Sequence, residues 1–293
     1  MRWLVVLDSL DGLNPKTDTS LALIEQGRAD GIQIDTATID RLYFERQAFV
    51  TVEDSEGSFG PQALNGYQLI LMRKEPPYDL AFHYATHLLS LSGTLVVNDP
   101  SALRDLNEKL IALPFQQYMP ATLVSSSQTS IGAFVKKHKG GVIKALDSFQ
   151  GKSVERLSIS DGALIKHYTH DGTQPVMVQE FLDSVYDGDK RVLILGKDFL
   201  GASLRRPREG YHANFANSEA LPASLTLRER EIVNEIAPWL VEQGVHFAGL
   251  DFIGETLTEI NITCPTGIMQ ISEIEGRNLA QEMIDYFIAL CQK

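Results

Sequence analysis

Residues 249 to 268 read GLDFIGETLTEINITCPTGI, and the reading of the fold and the site starts from them. Two alternating runs flank Gly254, the pattern of a β-hairpin. If the turn takes Gly254, Glu255 and Thr256, Ile253 faces Leu257 and Asp251 faces Glu259, with Asn261 two positions along on the same side. Leu250, Phe252, Ile260 and Ile262 then share the apolar face. A two-residue turn would send Asp251 and Glu259 to opposite faces, so the longer turn is the expectation. Asp251, Glu259 and Asn261 are oxygen donors of the kind that hold Mg²⁺. A solvated acidic face on an ordinary hairpin fits the same residues equally well.

Before the hairpin, the first hundred residues alternate strand-like and helical patterns: Trp3 to Leu7, Ser20 to Ala29, Tyr67 to Met72, Tyr78 to Leu91 and Thr94 to Val97. That rhythm predicts an N-terminal, mainly parallel α/β domain. The runs LVVL and LILM suit strands buried on both faces. Pro100 to Tyr118 reads as one helix carrying Leu103, Leu106, Leu110 and Leu113, ending near Pro114. The domain boundary is expected near residue 120, giving segments 1–120 and 121–293. Past it, a helix around Thr129 to His138 leads into GVIKALD, SVERLSI and PVMVQEFL, where strand follows strand and the sheet becomes antiparallel. Two β-rich runs about Gly196-Lys197, a polar loop from Pro207 to Pro222, a helix from Thr226 to Gln243, the hairpin and a helix from Arg277 to Leu290 complete the chain.

The 293 residues carry 26 basic and 38 acidic side chains, a net charge of −12 that disfavours nucleic acid and anionic membrane as partners. With 44% hydrophobic residues the composition is that of a globular protein. Two cysteines, Cys264 and Cys291, are too few for a disulfide framework and suit a reducing cytosol. The opening apolar run stops at Asp8, too short for a secretion signal, and no run approaches the roughly 20 apolar residues of a membrane span. A soluble cytoplasmic protein is the expectation.

The common nucleotide motifs are absent, since no two glycines stand in G-x-G spacing. LDSFQGKS at 146 to 153 ends like a phosphate-binding loop but opens on Leu146 and runs into a strand pattern. Lys144, inside GVIKAL, needs an anion if buried, or snorkels from an edge strand. DGDKR at 187 to 191, an acid-base cluster opening a strand, is by itself more often a solvated turn than a site. His83 and His87, at i and i+4, could share a metal, but no third ligand supports it and they read as ordinary helix positions.

Several strings in order are similar to one family: MRKEPPYD at 72 to 79, YATHLL at 84 to 89, SALRDLNEKL at 101 to 110, DGDKRVLIL at 187 to 195, and the stretch from 249 to 268. On these the chain resembles bacterial-type glutathione synthetase, of the ATP-grasp superfamily, over nearly its whole length. The resemblance implies an ATP-grasp domain with antiparallel sheets after residue 120, divided into lobes 121–189 and 190–293. It implies a ligase joining γ-glutamylcysteine and glycine through an acyl phosphate, with ATP as co-substrate and Mg²⁺ or Mn²⁺ as cofactor, working as a homo-oligomer. Asp251, Glu259 and Asn261 become metal ligands, and Lys109, Lys144 and Lys152 contact ATP phosphates. Glu180, Phe181 and Leu182 meet adenine, Asp189 takes a ribose hydroxyl, and Arg191 and Arg205 steady phosphate and carboxylates. Asn14, Lys16, Thr19, Arg73, Pro265, Thr266 and Gly267 would face the peptide.

Two loops depart from the family's glycine-rich pattern, SFQGKS at 148 to 153 and PREGYHANFANSEALP at 207 to 222. They leave room for a ligase of another acid and amine, or for a nucleotide-binding module without turnover.

Overall fold

The computed structural model describes residues 1–53, 59–147, 154–211, 215 and 218–292. Its first part holds β1 (Arg2–Val6), α1 (Thr19–Ala29), β2 (Gln33–Ala37), β3 (Leu42–Glu45), β4 (Gln47–Glu53), β5 (Phe59–Ala63), β6 (Leu69–Met72), α2 (Leu80–Ser90) and β7 (Leu95–Val97). β1 sits between β2 and β6, with β7 beyond β6, and every pairing is parallel. The apolar runs explain the placement: Trp3, Val5, Leu69 and Leu71 pack on one face, Leu4, Val6, Ile70 and Met72 on the other. Each such side chain, once buried, contributes roughly 1.5–3 kcal/mol. β3, β4 and β5 form a separate antiparallel sheet that the period of the sequence did not reveal.

Next come α3 (Pro100–Asp105), β8 (Thr122–Ser125), α4 (Gln128–His138), β9 (Gly141–Ala145), β10 (Val154–Leu157), α5 (Gly162–Tyr168) and β11 (Val176–Gln179). Their strands make an antiparallel sheet in the order β10-β9-β11-β8. The last part holds β12 (Asp189–Leu195), β13 (Asp198–Pro207), β14 (Ser218–Pro222), α6 (Leu227–Glu242), β15 (Phe247–Ile253), β16 (Thr256–Asn261), α7 (Ile268–Glu275) and α8 (Leu279–Cys291). Its antiparallel sheet runs β14-β13-β12-β15-β16. Mixed α/β architecture with a parallel N-terminal sheet and antiparallel sheets beyond it is thus as the sequence implied.

The chain's end returns to its beginning. α8 lays Met283 and Phe287 against the sheet face carrying Trp3, whose ring meets Phe287 edge-on at 6.4 Å. Asn98, just after β7, sews the two halves together. Its amide donates to Phe247 O at 2.8 Å and Ile262 O at 2.7 Å, and accepts from His246 N at 2.8 Å and Phe247 N at 3.0 Å.

Three expectations are corrected. The helix from Pro100 to Tyr118 is broken: α3 stops at Asp105, and a 3-10 segment resumes at Leu110–Tyr118. Asn107 causes the break by accepting from the backbone N–H of Lys109 and Leu110 at 3.0 and 3.2 Å, a local bond that competes with the helix. The polar loop from Pro207 to Pro222 begins and ends in sheet, because β13 reaches Pro207 and β14 pairs with it. The hairpin turn has two residues, Gly254 and Glu255, with Ile253 opposite Thr256.

Candidate active site

The two-residue turn should have separated Asp251 from Glu259, and a β-bulge at Thr258 prevents it. Phe252 pairs with Leu257, Thr258 is extra, and Asp251 pairs with Glu259. Thr258 Oγ1 donates to Asp251 O at 3.0 Å and so fixes the bulge. Leu250, Phe252, Leu257, Ile260 and Ile262 stay in the core while Asp251, Glu259 and Asn261 face a cavity of about 810 Å³. Gly254 supplies the turn with a φ of +60°, where a side chain would strain.

The cavity lies between the β10-β9-β11-β8 sheet, the β14-β13-β12-β15-β16 sheet and the loop before α1. β9 contributes Val142 and Lys144, β11 contributes Gln179, and Glu180, Phe181 and Leu182 follow it as the chain leaves the sheet. β12 contributes Asp189 and Arg191, β13 contributes Arg205, and the break after α3 delivers Glu108 and Lys109. Asn14 and Thr266 complete the set of expected residues that line it.

Electrostatics at the floor centres on Asp251. Arg191 grips it with Nε on Oδ1 at 2.5 Å and Nη2 on Oδ2 at 2.9 Å. Arg205 bridges Asp251 and Asp189 at 3.0 and 2.9 Å. Burial pulls Asp251 upward, yet the Arg191 and Arg205 guanidinium groups outweigh it and hold the carboxyl low. Asp189, likewise buried and paired with Arg205 but lying near Asp251, is raised by burial, and among the described residues its Oδ1 has no hydrogen-bond partner. Burial lowers Lys144, with Glu259 as the main opposing charge. Lys109 Nζ lies 3.6 Å from Glu259 Oε1.

These positions fit a divalent cation. Asn261 donates its amide N–H to Asp251 Oδ2 at 3.0 Å, which leaves its oxygen as an acceptor. Hard oxygen donors of this type suit Mg²⁺ or Mn²⁺. Among the described residues, seven carboxylates and four cations line the cavity, so a polyphosphate would need further positive charge there.

Other expected residues lie elsewhere. Arg73 is buried behind the wall, donating Nε to Ser20 Oγ at 3.1 Å and Nη2 to Pro265 O at 2.9 Å, so it braces the 265–267 turn. Thr19, Pro265 and Gly267 are buried outside the lining, and Lys16 is exposed. Lys152, with the rest of 148–153, lies outside the described residues.

Several lining residues escaped sequence reading. Glu108 accepts from Ile262 N, Thr263 N and Thr263 Oγ1 at 2.8, 2.8 and 2.7 Å, clasping the chain beyond the hairpin. Burial raises it. Its only signal was Asn107, a helix-stopping residue in the middle of an apparent helix. Tyr211 and Phe215 bring aromatic rings to the rim: Tyr211 Oη accepts from Arg156 N at 3.1 Å, and Phe215 lies under the Arg205 guanidinium at 5.5 Å. Their sequence signal was absent, because the 207–222 stretch reads as a polar loop.

Comparison with known proteins adds a second line of observation. The model of the prokaryotic glutathione synthetase ATP-grasp domain matches residues 108–276, and that of the N-terminal domain matches 1–104. Glutathione synthetase of Prochlorococcus marinus is 38% identical over 300 residues, covering 97% of each chain. Glutathione synthetase of Bradyrhizobium diazoefficiens is 36% identical, covering 96% of each. A RimK domain ATP-grasp protein from Sphaerobacter thermophilus superposes with a TM-score of 0.68 at 17% identity, covering 98% of each chain, which is a likeness of fold.

Proposed function

The chain belongs to the prokaryotic glutathione synthetase family, and from that premise we propose that its cavity joins γ-glutamylcysteine to glycine, converting ATP to ADP and phosphate. The observation that carries the reading is the convergence of Lys109 and Lys144 with the Asp251, Glu259 and Asn261 face in one cavity, a pairing that suits a metal-bound polyphosphate. Residues 1–120 supply the peptide side, and lobes 121–189 and 190–293 hold the nucleotide between them.

In this reading the adenine lies along the backbone of Glu180 to Leu182, between Val142 and Phe181, and Asp189 accepts from a ribose hydroxyl. Lys109 and Lys144 direct their ammonium groups at the phosphates, which supplies the anion that a buried Lys144 requires. Glu259 and Asn261, with Asp251, hold Mg²⁺ or Mn²⁺, which when bound neutralises charge on the phosphoryl oxygens. Arg191 and Arg205 fix Asp251 first and so hold this face in place before substrate arrives.

A dipeptide carboxylate oxygen attacks the γ-phosphorus, and the bond to the bridging oxygen of ADP breaks. The glycine nitrogen, as free amine, then attacks the acyl carbon, phosphate leaves with its electron pair, and the nitrogen passes its extra proton to the departing phosphate. Such an acyl phosphate hydrolyses in water, so the aromatic rim formed by Tyr211 and Phe215 is read as part of the barrier to solvent. The test is incubation of the chain with ATP, Mg²⁺, γ-glutamylcysteine and glycine, with mass detection of product. Glutathione and ADP in equal amounts are expected. ADP release independent of both amino components would sink the reading, and preference for another acid-amine pair in a competition panel would reassign the substrate.

A further inference from the structure

Away from the cavity, α2 carries two imidazoles that the ligase reading leaves without a role. His83 Nε2 and His87 Nε2 lie 3.2 Å apart, one helical turn from each other, with His83 half-buried and His87 exposed. His83 is held from behind by Tyr78, whose hydroxyl sits 3.1 Å from His83 Nδ1. No residue of α2 lines the cavity.

We propose that His83 and His87 form a two-histidine chelate for a borderline divalent cation of the zinc, nickel or copper class, separate from the oxygen-donor site. Three features carry it. The first is spacing, since i and i+4 side chains occupy the same helix face. The second is the bite: two nitrogens each about 2.0–2.1 Å from a tetrahedral zinc stand about 3.3 Å apart, close to the separation seen here. The third is the Tyr78 contact. A metal-binding histidine commonly has its other nitrogen held by a hydrogen-bonding group, which fixes ring orientation and tautomer.

Without metal the two nitrogens share one proton in a hydrogen bond. When His83 carries its proton on Nδ1 toward Tyr78 Oη, its Nε2 lone pair is free to accept from His87 Nε2–H. Binding then needs His87 to carry its ring proton on Nδ1, so that both Nε2 lone pairs face the cation. Water fills the remaining positions. Nitrogen donors of this kind discriminate against Mg²⁺, which prefers oxygen. The two sites therefore sort metals by chemistry.

The experiment is calorimetric titration of the metal-stripped full chain with ZnCl₂ in excess Mg²⁺, alongside imidazole ¹⁵N spectra. Zinc is expected to shift the Nε2 signals of His83 and His87 and to leave the other five histidines unmoved. The double variant His83→Gln/His87→Gln is expected to bind one equivalent less. Tyr78→Phe is expected to keep the stoichiometry and weaken affinity by about tenfold, the usual effect of losing the group behind a ligand. Equal zinc stoichiometry and affinity in the double variant and the parent, or unmoved His83 and His87 signals, overturns the proposal. Glutathione formation in Mg²⁺ alone is expected to be unchanged in the double variant, so this test succeeds or fails independently of the ligase reading.

Discussion

At the residue scale, Lys144 shows how position and chemistry combine. Its place inside GVIKAL announced either a buried ammonium in need of an anion or an edge-strand lysine reaching water. β9 lies between β10 and β11, so the edge is not available, and Lys144 is 8% exposed. Its charge is therefore held at a cost in the ligand-free protein. Lys144→Met is expected to leave the melting temperature equal or higher while weakening ATP binding by about tenfold to a hundredfold, the worth of a hydrogen bond to a charged group. Calorimetry of both properties checks it, and parallel loss of stability would contradict the assignment. Asp189 is expected to act in the opposite sense to most carboxylates. Folding raises it, so the native chain keeps a proton that the unfolded chain gives up, and stability falls as pH climbs from the ordinary carboxylate range through its raised value. Asp189→Asn should flatten that fall in urea unfolding midpoints measured across the range. Arg73, expected to face the peptide, is buried outside the cavity lining, with Ser20 and a backbone carbonyl as partners of two of its nitrogens.

At the element scale, the decisive device is the bulge in the hairpin. Alternation alone placed Asp251 opposite Glu259 through a three-residue turn, and the same pairing is reached through a two-residue turn and an extra Thr258. The pairing was legible because burial of Leu250, Phe252, Ile260 and Ile262 forces it whichever turn is used. How the extra residue is absorbed was not, since that depends on the Thr258 hydroxyl finding Asp251 O. Deleting Thr258 takes out the extra residue and leaves Asp251 opposite Glu259 in a regular ladder, with the register beyond them unchanged. Retained ATP binding is therefore expected of the deletion, with a change in stability confined to the lost bulge and read in chemical denaturation. Thr258→Ala, which keeps the register, should cost only about 1 kcal/mol in chemical denaturation and retain activity.

At the scale of the whole molecule, the site exists only because separate sheets are held in register. Asn98 is the tie: four hydrogen bonds, three of them buried, link the end of the parallel sheet to the strands that carry Asp251 and Asn261. Asn98→Ala strands two buried carbonyls and two N–H groups, so a loss of about 3 kcal/mol or more is expected in equilibrium unfolding. Retention of full stability would show that water replaces the side chain. The closure by α8 belongs to this scale as well, since the last helix covers the face of the first strand.

The sequence by itself determined the strands and helices whose apolar period is strong, the face on which Asp251, Glu259 and Asn261 lie, and the family likeness carried by the 249–268 stretch. Those properties follow from local period and from side-chain type, which need no distant partner. Only the tertiary structure decided that Glu108 reaches the cavity through a helix broken at Asn107. It also decided that Arg191 and Arg205 are engaged by Asp251, that Tyr211 and Phe215 stand at the rim, and that Arg73 and Asn98 brace rather than line. Each of these depends on which groups lie close in space across long stretches of chain, and hydrogen-bond partners at such separations have no periodic signature in one dimension.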